Sequence, residues 1–231
     1  LLKMWYNECT NARGDTAMAE NMVITIGRQF GSGGREIGVR LGELLGFKVY
    51  DKELITLAAQ KNGVSPDYLR RVDEKATNSL LYTLALGSSL YGARNFGIDV
   101  PINDQLFITQ TEIIKKAAEE GDCIFIGRCA DYVLRNHERR ISCFIYADME
   151  ARISRVCKRH EMERSEAIDL INKTDKRRVS YYNFYTGRKW GKFDNYHLSV
   201  NSSTLGIEDT ARMIADIVNI YRNESEKDRI I

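Results

Sequence analysis

Proline is nearly missing, at 2 of 231 residues, and no run of 18 apolar residues occurs anywhere in the chain. The first shortage, together with 29% charged residues, favours a helix-rich globular fold. The second excludes a membrane-spanning helix, so no membrane partner is expected. The five cysteines (Cys9, Cys123, Cys129, Cys143 and Cys157) are odd in number and form no CxxC pair. Three of them lie in or at the ends of apolar runs, which reads as reduced, buried thiol in a cytoplasmic protein. The three histidines, at 137, 160 and 197, lack metal-ligand spacing, and the sequence assigns no metal ligands. A net charge of only +2 gives no bulk reason to bind nucleic acid, and none is expected as a partner. Residues 1–21 are polar, irregular and without the apolar stretch of a signal peptide. They are read as a disordered N-terminal extension, with Met18 or Met22 as the functional start.

What is present is a regular alternation. Five short apolar runs read as buried strands: Met22–Ile26, Phe47–Tyr50, Cys123–Ile126, Ile141–Tyr146 and His197–Val200. They are continuous rather than alternating, as in parallel strands covered on both faces. Helical stretches separate them, so the chain reads as one parallel α/β domain over 22–222, followed by a charged tail at 223–231. The first helix is predicted over 34–45, with Ile37, Leu41, Leu44 and Leu45 inward and Gly46 closing it. Two inserts interrupt the pattern. One, about 52–121, carries helix signals at 52–61, 66–75, 78–91 and 104–120, with Ser65-Pro66 as a clean start. The other, about 160–192, belongs to a basic stretch: between Arg152 and Lys192 twelve Lys/Arg face five acids, a balance suited to an anionic ligand. A final helix is predicted at 207–222.

The main chemical signal is a strand, a glycine-rich loop and a helix at 22–45. Gly27, Gly31, Gly33 and Gly34 allow backbone amides to converge on a phosphate, and the following helix aims its N-terminus at the same point. Arg28 and Arg35 can add charge-assisted hydrogen bonds. The loop departs from G-x-x-x-x-G-K-[ST]. If Gly34-Arg35-Glu36 replaces Gly-Lys-Thr, Arg35 stands for the lysine and Glu36 for the hydroxyl. If Gly33-Gly34 takes the Gly-Lys place, no base stands there at all.

Gly27-Arg-Gln-Phe-Gly-Ser-Gly-Gly-Arg-Glu36, Tyr50-Asp-Lys-Glu-Leu-Ile55 and Ile126-Gly-Arg-Cys-Ala-Asp-Tyr-Val-Leu134 together resemble the cytidylate kinase-like proteins, over nearly the whole chain. The resemblance implies a three-layer P-loop fold with a five-stranded parallel sheet, a helical insert that binds a nucleoside monophosphate, and a lid. It implies ATP and Mg²⁺ as cofactors and a phosphoryl transfer to a small nucleotide, with CMP or dCMP first. The stretch 27–36, with Gly27, Arg28, Gly31, Ser32, Gly33, Gly34, Arg35 and Glu36, is expected to hold the ATP phosphates. Asp51 and Arg128 are expected near the acceptor, with Cys129 standing where cytidylate kinase has Asp. The lid candidate is Asn172-Lys-Thr-Asp-Lys-Arg-Arg-Val179, and Asp175, Arg177 and Arg178 join Arg35 and Arg128 as catalytic candidates. Arg152 and Arg155 are read either as lid-hinge or as solvent-facing residues. The cluster Tyr181-Tyr182-Asn-Phe-Tyr185 with Trp190 is read as packing for the lid or for a subunit contact, with stacking on a base as the alternative, and a homodimer is left open.

Overall fold

The computed structural model describes residues 21–51 and 102–227. The helices predicted at 52–61, 66–75 and 78–91, with the Ser65-Pro66 start, lie outside the described residues, as do the ends at 1–20 and 228–231. The elements run β1 (Val23–Arg28), α1 (Gly34–Leu45), β2 (Lys48–Tyr50), α2 (Ile102–Glu120), β3 (Cys123–Ile126), α3 (Ala130–Val133), β4 (Arg140–Tyr146), α4 (Met149–His160), α5 (Arg164–Thr186), a 3₁₀ turn (Phe193–Asn195), β5 (Leu198–Asn201) and α6 (Ser202–Lys227). The five strands form a parallel sheet in the order β2-β3-β1-β4-β5.

Both faces of this sheet are covered, which is why its strands read as continuous apolar runs. One face packs Met22, Ile24, Ile26, Ile124, Ile126 and Ile145 against α1 and α6. The other packs Val23, Cys123 and Phe125 against α2, α3 and Tyr182 of α5. A smaller cluster joins Ile153 and Val156 of α4 to Ala167 and Ile171 of α5, with Phe30 of the glycine-rich loop against it.

One register detail creates the site. β1 pairs with β3 only as far as Ile26 and Ile126, yet with β4 it continues to Gly27↔Phe144 and Arg28↔Ile145. The strand therefore extends two residues beyond the predicted end at Ile26, and the ladder to β3 ends where its two glycines stand, opening a crevice at the carboxyl end of a parallel sheet. One other expectation changes. Leu44 is 39% exposed rather than inward, because α1 rests on Gly34, Ile37, Gly38, Leu41 and Gly42. The basic segment from 164 to 186 is one continuous helix, opened by a Glu163/Glu166 capping box and closed by left-handed Gly187.

Candidate active site

From Arg28 the chain turns through Gln29–Gly33 into α1, with Gly31 and Gly33 both at φ 78. A side chain at Gly31 would stand 3.0 Å from the Arg152 carbonyl of α4. The five consecutive carbonyls from Arg28 to Ser32 each accept a hydrogen bond from a side chain. Arg178 Nη1 donates to Arg28 O (2.8 Å), Ser32 Oγ to Gln29 O (2.9 Å) and Arg152 Nε to Phe30 O (2.7 Å). Arg155 Nη1 donates to Gly31 O (3.3 Å) and Ser202 Oγ to Ser32 O (2.6 Å). With its carbonyls committed, the loop leaves the amides of Gly31, Gly33 and Gly34 without acceptors among the described residues. These amides and the α1 N-terminus form an anion cradle of backbone dipoles.

Arg35 takes a different direction. Its Nε and Nη2 donate to Asp51 Oδ2 at 3.0 and 2.7 Å, tying the first turn of α1 to the end of β2. Helix α1 begins at Gly34 with Gly33 as its N-cap. Glu36 pairs with Arg159 of α4. The hydroxyl of Ser32 is spent on the loop itself, and among the described residues no group of three His, Cys, Asp or Glu gathers as metal ligands. The amides of Gly31, Gly33 and Gly34 are thus free to take an anion, while the described residues offer a metal no ready-made cage.

Across the crevice, Gly127, Arg128 and Cys129 all have positive φ (81, 57 and 55). Left-handed backbone at a non-glycine residue is costly, and here two follow one another at the mouth of the sheet. This turn, Gly27 and Arg28 of β1, and α5 enclose a cavity of about 270 Å³. Four guanidinium groups line it: Arg28, Arg128, Arg177 and Arg178. Those of Arg28 and Arg128 make no hydrogen bond or ion pair among the described residues. Desolvation, then Arg178 and Arg128, lower Arg28 to about 9 despite Asp51. Desolvation lowers Arg178 to about 10 against the opposing charge of Asp175. The cations are held at a cost that a bound anion would relieve. The cavity floor is apolar and polar together. Buried Asp131 accepts the Tyr182 hydroxyl at 2.6 Å, and burial raises the pKa of its carboxyl above the usual value. Burial also pushes the Cys129 thiol well up, so it lines the wall as a neutral group.

The basic helix reaches the loop through Asp175, whose Oδ1 accepts the Phe30 amide at 2.8 Å while its other oxygen pairs with Arg152. Arg152 is only 5% exposed, so the solvent-facing reading from sequence does not describe it. Arg177, two residues beyond Asp175, is exposed and bonds Thr174 at 3.4 Å. The aromatic cluster does pack: Tyr185 stacks on Phe107 of α2 at 4.2 Å and Trp190 meets Phe144 edge-on at 5.2 Å. Tyr181, Tyr182 and Trp190 also face the cavity. Sequence reasoning missed Asp131, Tyr196 and Ser202 and took Tyr182 only as part of the aromatic cluster. Of the three missed, only Asp131 carried a signal, as the acid three residues after Arg128.

A parallel sheet in this order, with a glycine-rich loop after its central strand and a cationic crevice beside it, defines a kinase-type P-loop protein. The profile of the cytidylate kinase-like family matches residues 23–204, and the chain belongs to that family. It resembles an uncharacterized protein from Eubacterium ventriosum ATCC 27560 whose crystal structure is known, with 26% identity over 86% of this chain and 99% of the other and a TM-score of 0.64. A gluconokinase from Sinorhizobium meliloti 1021 shares the fold at 12% identity, 91% and 99% coverage and a TM-score of 0.52. A shikimate kinase from Bacteroides thetaiotaomicron does so at 10% identity, 86% and 98% coverage and a TM-score of 0.50. Among curated proteins no sequence matches the chain significantly. No helix among the described residues is long and apolar enough to cross a membrane.

Proposed function

We propose that this protein transfers the terminal phosphoryl group of ATP to a small phosphorylated acceptor, a nucleoside monophosphate, with CMP or dCMP the first candidates. The observation that carries this reading is the cavity lined by Arg28, Arg128, Arg177 and Arg178, set directly beside the glycine-rich loop. Phosphoryl transfer asks a protein chiefly to position two phosphates and to offset charge on the oxygens of the group in flight. The amides of Gly31, Gly33 and Gly34 hold the donor phosphates. Arg28 and Arg178 stand between loop and cavity, where that charge develops. Arg128 and Arg177 grip the acceptor phosphate, and Tyr181 and Trp190 offer faces against which a base can lie. Asp51, held by Arg35, closes the β2 side. Mg²⁺ carried by the nucleotide would offset phosphate charge beside the loop amides. Helix α5 acts as the lid, excluding water from the donor.

A coupled ADP-release assay over CMP, dCMP, UMP, AMP and non-nucleotide phosphate esters tests the reading. Turnover on CMP or dCMP is expected; no turnover on any nucleoside monophosphate, with turnover on another acceptor, rejects it. That second outcome marks a kinase of another small molecule, a reading favoured by neutral Cys129 in the place where cytidylate kinase has an acid. ATP binding by calorimetry with no acceptor phosphorylated marks a non-catalytic nucleotide-binding regulator.

A further inference from the structure

The glycine-rich loop and the cavity lie side by side, and a pair of side chains ties the loop to the helix that lines the cavity. Asp175 sits on the Phe30 amide of the loop at 2.8 Å, and Arg152, almost wholly buried, joins Asp175 while donating to the Phe30 carbonyl at 2.7 Å. The Phe30 amide is thereby fastened to α5 and its carbonyl to α4, and the Arg152–Asp175 pair joins the two helices at the loop. Three residues beyond Asp175 on α5, Arg178 donates to the Arg28 carbonyl and lines the cavity, with its guanidinium 5.6 Å from the Phe30 ring. An α-helix turn is stiff, so a displacement of the loop at Phe30 moves Arg177 and Arg178 with it.

We propose that Arg152 and Asp175 are positioning residues that make the donor and acceptor subsites bind cooperatively. This rests on the phosphotransferase reading above. Asp175 in this role touches neither substrate: it orders the loop for the donor and, on the cavity side, Arg178 for the group in flight and Arg177 for the acceptor. A ligand that orders either side leaves less to be ordered by the second, which is a coupling free energy and is reciprocal. Arg152 serves because a forked guanidinium reaches a carbonyl and a carboxylate together, which the point charge of a lysine does not.

The test is calorimetry on the full chain with the non-hydrolysable analogue AMP-PNP with Mg²⁺ and with CMP, each titrated alone and in the presence of the other. Wild type is expected to bind each about fivefold or more tightly when the other is present. Asp175→Asn, which keeps shape and removes charge, is expected to cut that factor below about twofold while each ligand alone still binds. Arg152→Lys is expected to do the same, and the double variant to lose no more than either single one. If Asp175→Asn does not fold, Arg152→Lys carries the test alone. A merely structural role weakens each ligand without changing the ratio, so an unchanged ratio in both variants overturns the proposal. So does binding of both ligands to the wild type with no coupling. Failure of the wild type to bind either ligand overturns the phosphotransferase reading and this inference with it.

Discussion

Arg128 combines two costs at one position. Its backbone is left-handed at φ 57, and its guanidinium is unpartnered among the described residues. Replacing it by glycine removes the first cost and the function of the second. Arg128→Gly is expected to gain about 1 kcal/mol in urea unfolding, the scale of one left-handed non-glycine residue. The same variant is expected to raise the KM for the acceptor by about 10- to 100-fold, the scale of a lost charge-assisted hydrogen bond, with the KM for ATP unchanged. Arg128→Ala should lose the acceptor without gaining stability, which separates the two effects. Asp131 supplies a pH signature. Burial raises its folded-state value, so the unfolded chain releases this proton first as pH rises. Its contribution to stability is therefore largest at low pH and is lost as pH rises from the unfolded value near 4 to the raised folded value. Stability measured against pH from 3.5 to 7 in wild type and Asp131→Asn should differ by that falling slope; parallel curves would contradict it.

At the scale of elements, α1 shows why the loop can lie so close to the sheet. Gly34, Gly38 and Gly42 recur every fourth residue on its inner face. A side chain at Gly38 would stand 2.7 Å from Ile126 Cδ1 and 3.1 Å from Ile26 Cδ1, and one at Gly34 would stand 2.5 Å from Arg28 Cβ. The helix is thus drawn onto β1 and β3 at the level of the loop. Gly38→Val should cost about 1–3 kcal/mol through overpacking, read as a lower urea midpoint with unchanged slope. The loop itself is braced from outside by α4, α5 and the start of α6. Ser202→Ala removes the bond to Ser32 O and is expected to cost about 1 kcal/mol, with a rise in the KM for ATP of several-fold and little change for the acceptor. Equal effects on both substrates would show that Ser202 does not act on the loop alone.

The whole molecule is a sheet whose central strand carries the loop on one side and a crevice of like charges on the other. Because Arg28, Arg128 and Arg178 disfavour one another, the fold stores an electrostatic cost that an anion releases. ATP with Mg²⁺ at about 100 times its Kd is expected to add about 2.7 kcal/mol of stability, a rise of several degrees in Tm. Arg28→Gln should narrow this gain while raising the stability of the free protein. A Tm indifferent to ATP in wild type would remove the premise.

Local signals in the sequence determined the strands, α1, the glycine-rich turn and the basic character of residues 152–192, because each depends on neighbours in the chain. Continuous apolar runs follow from burial on both faces, and the start of α1 follows from glycines that only that turn requires. Gly27-Arg28 and Gly127-Arg128 were legible as candidates for the same reason. Tertiary structure alone decided what the charges do. The sequence placed Arg35 beside the loop, but folding brings Asp51 within 2.7 Å of it. It left Arg152 undecided, and the packing of α4 against the loop buries it beside Asp175. Ser202, 170 residues from its partner Ser32, had no local mark at all. Periodicity and propensity record how a segment meets water and its own backbone, whereas the pairing of a guanidinium with one carboxylate among several is settled only where distant segments meet.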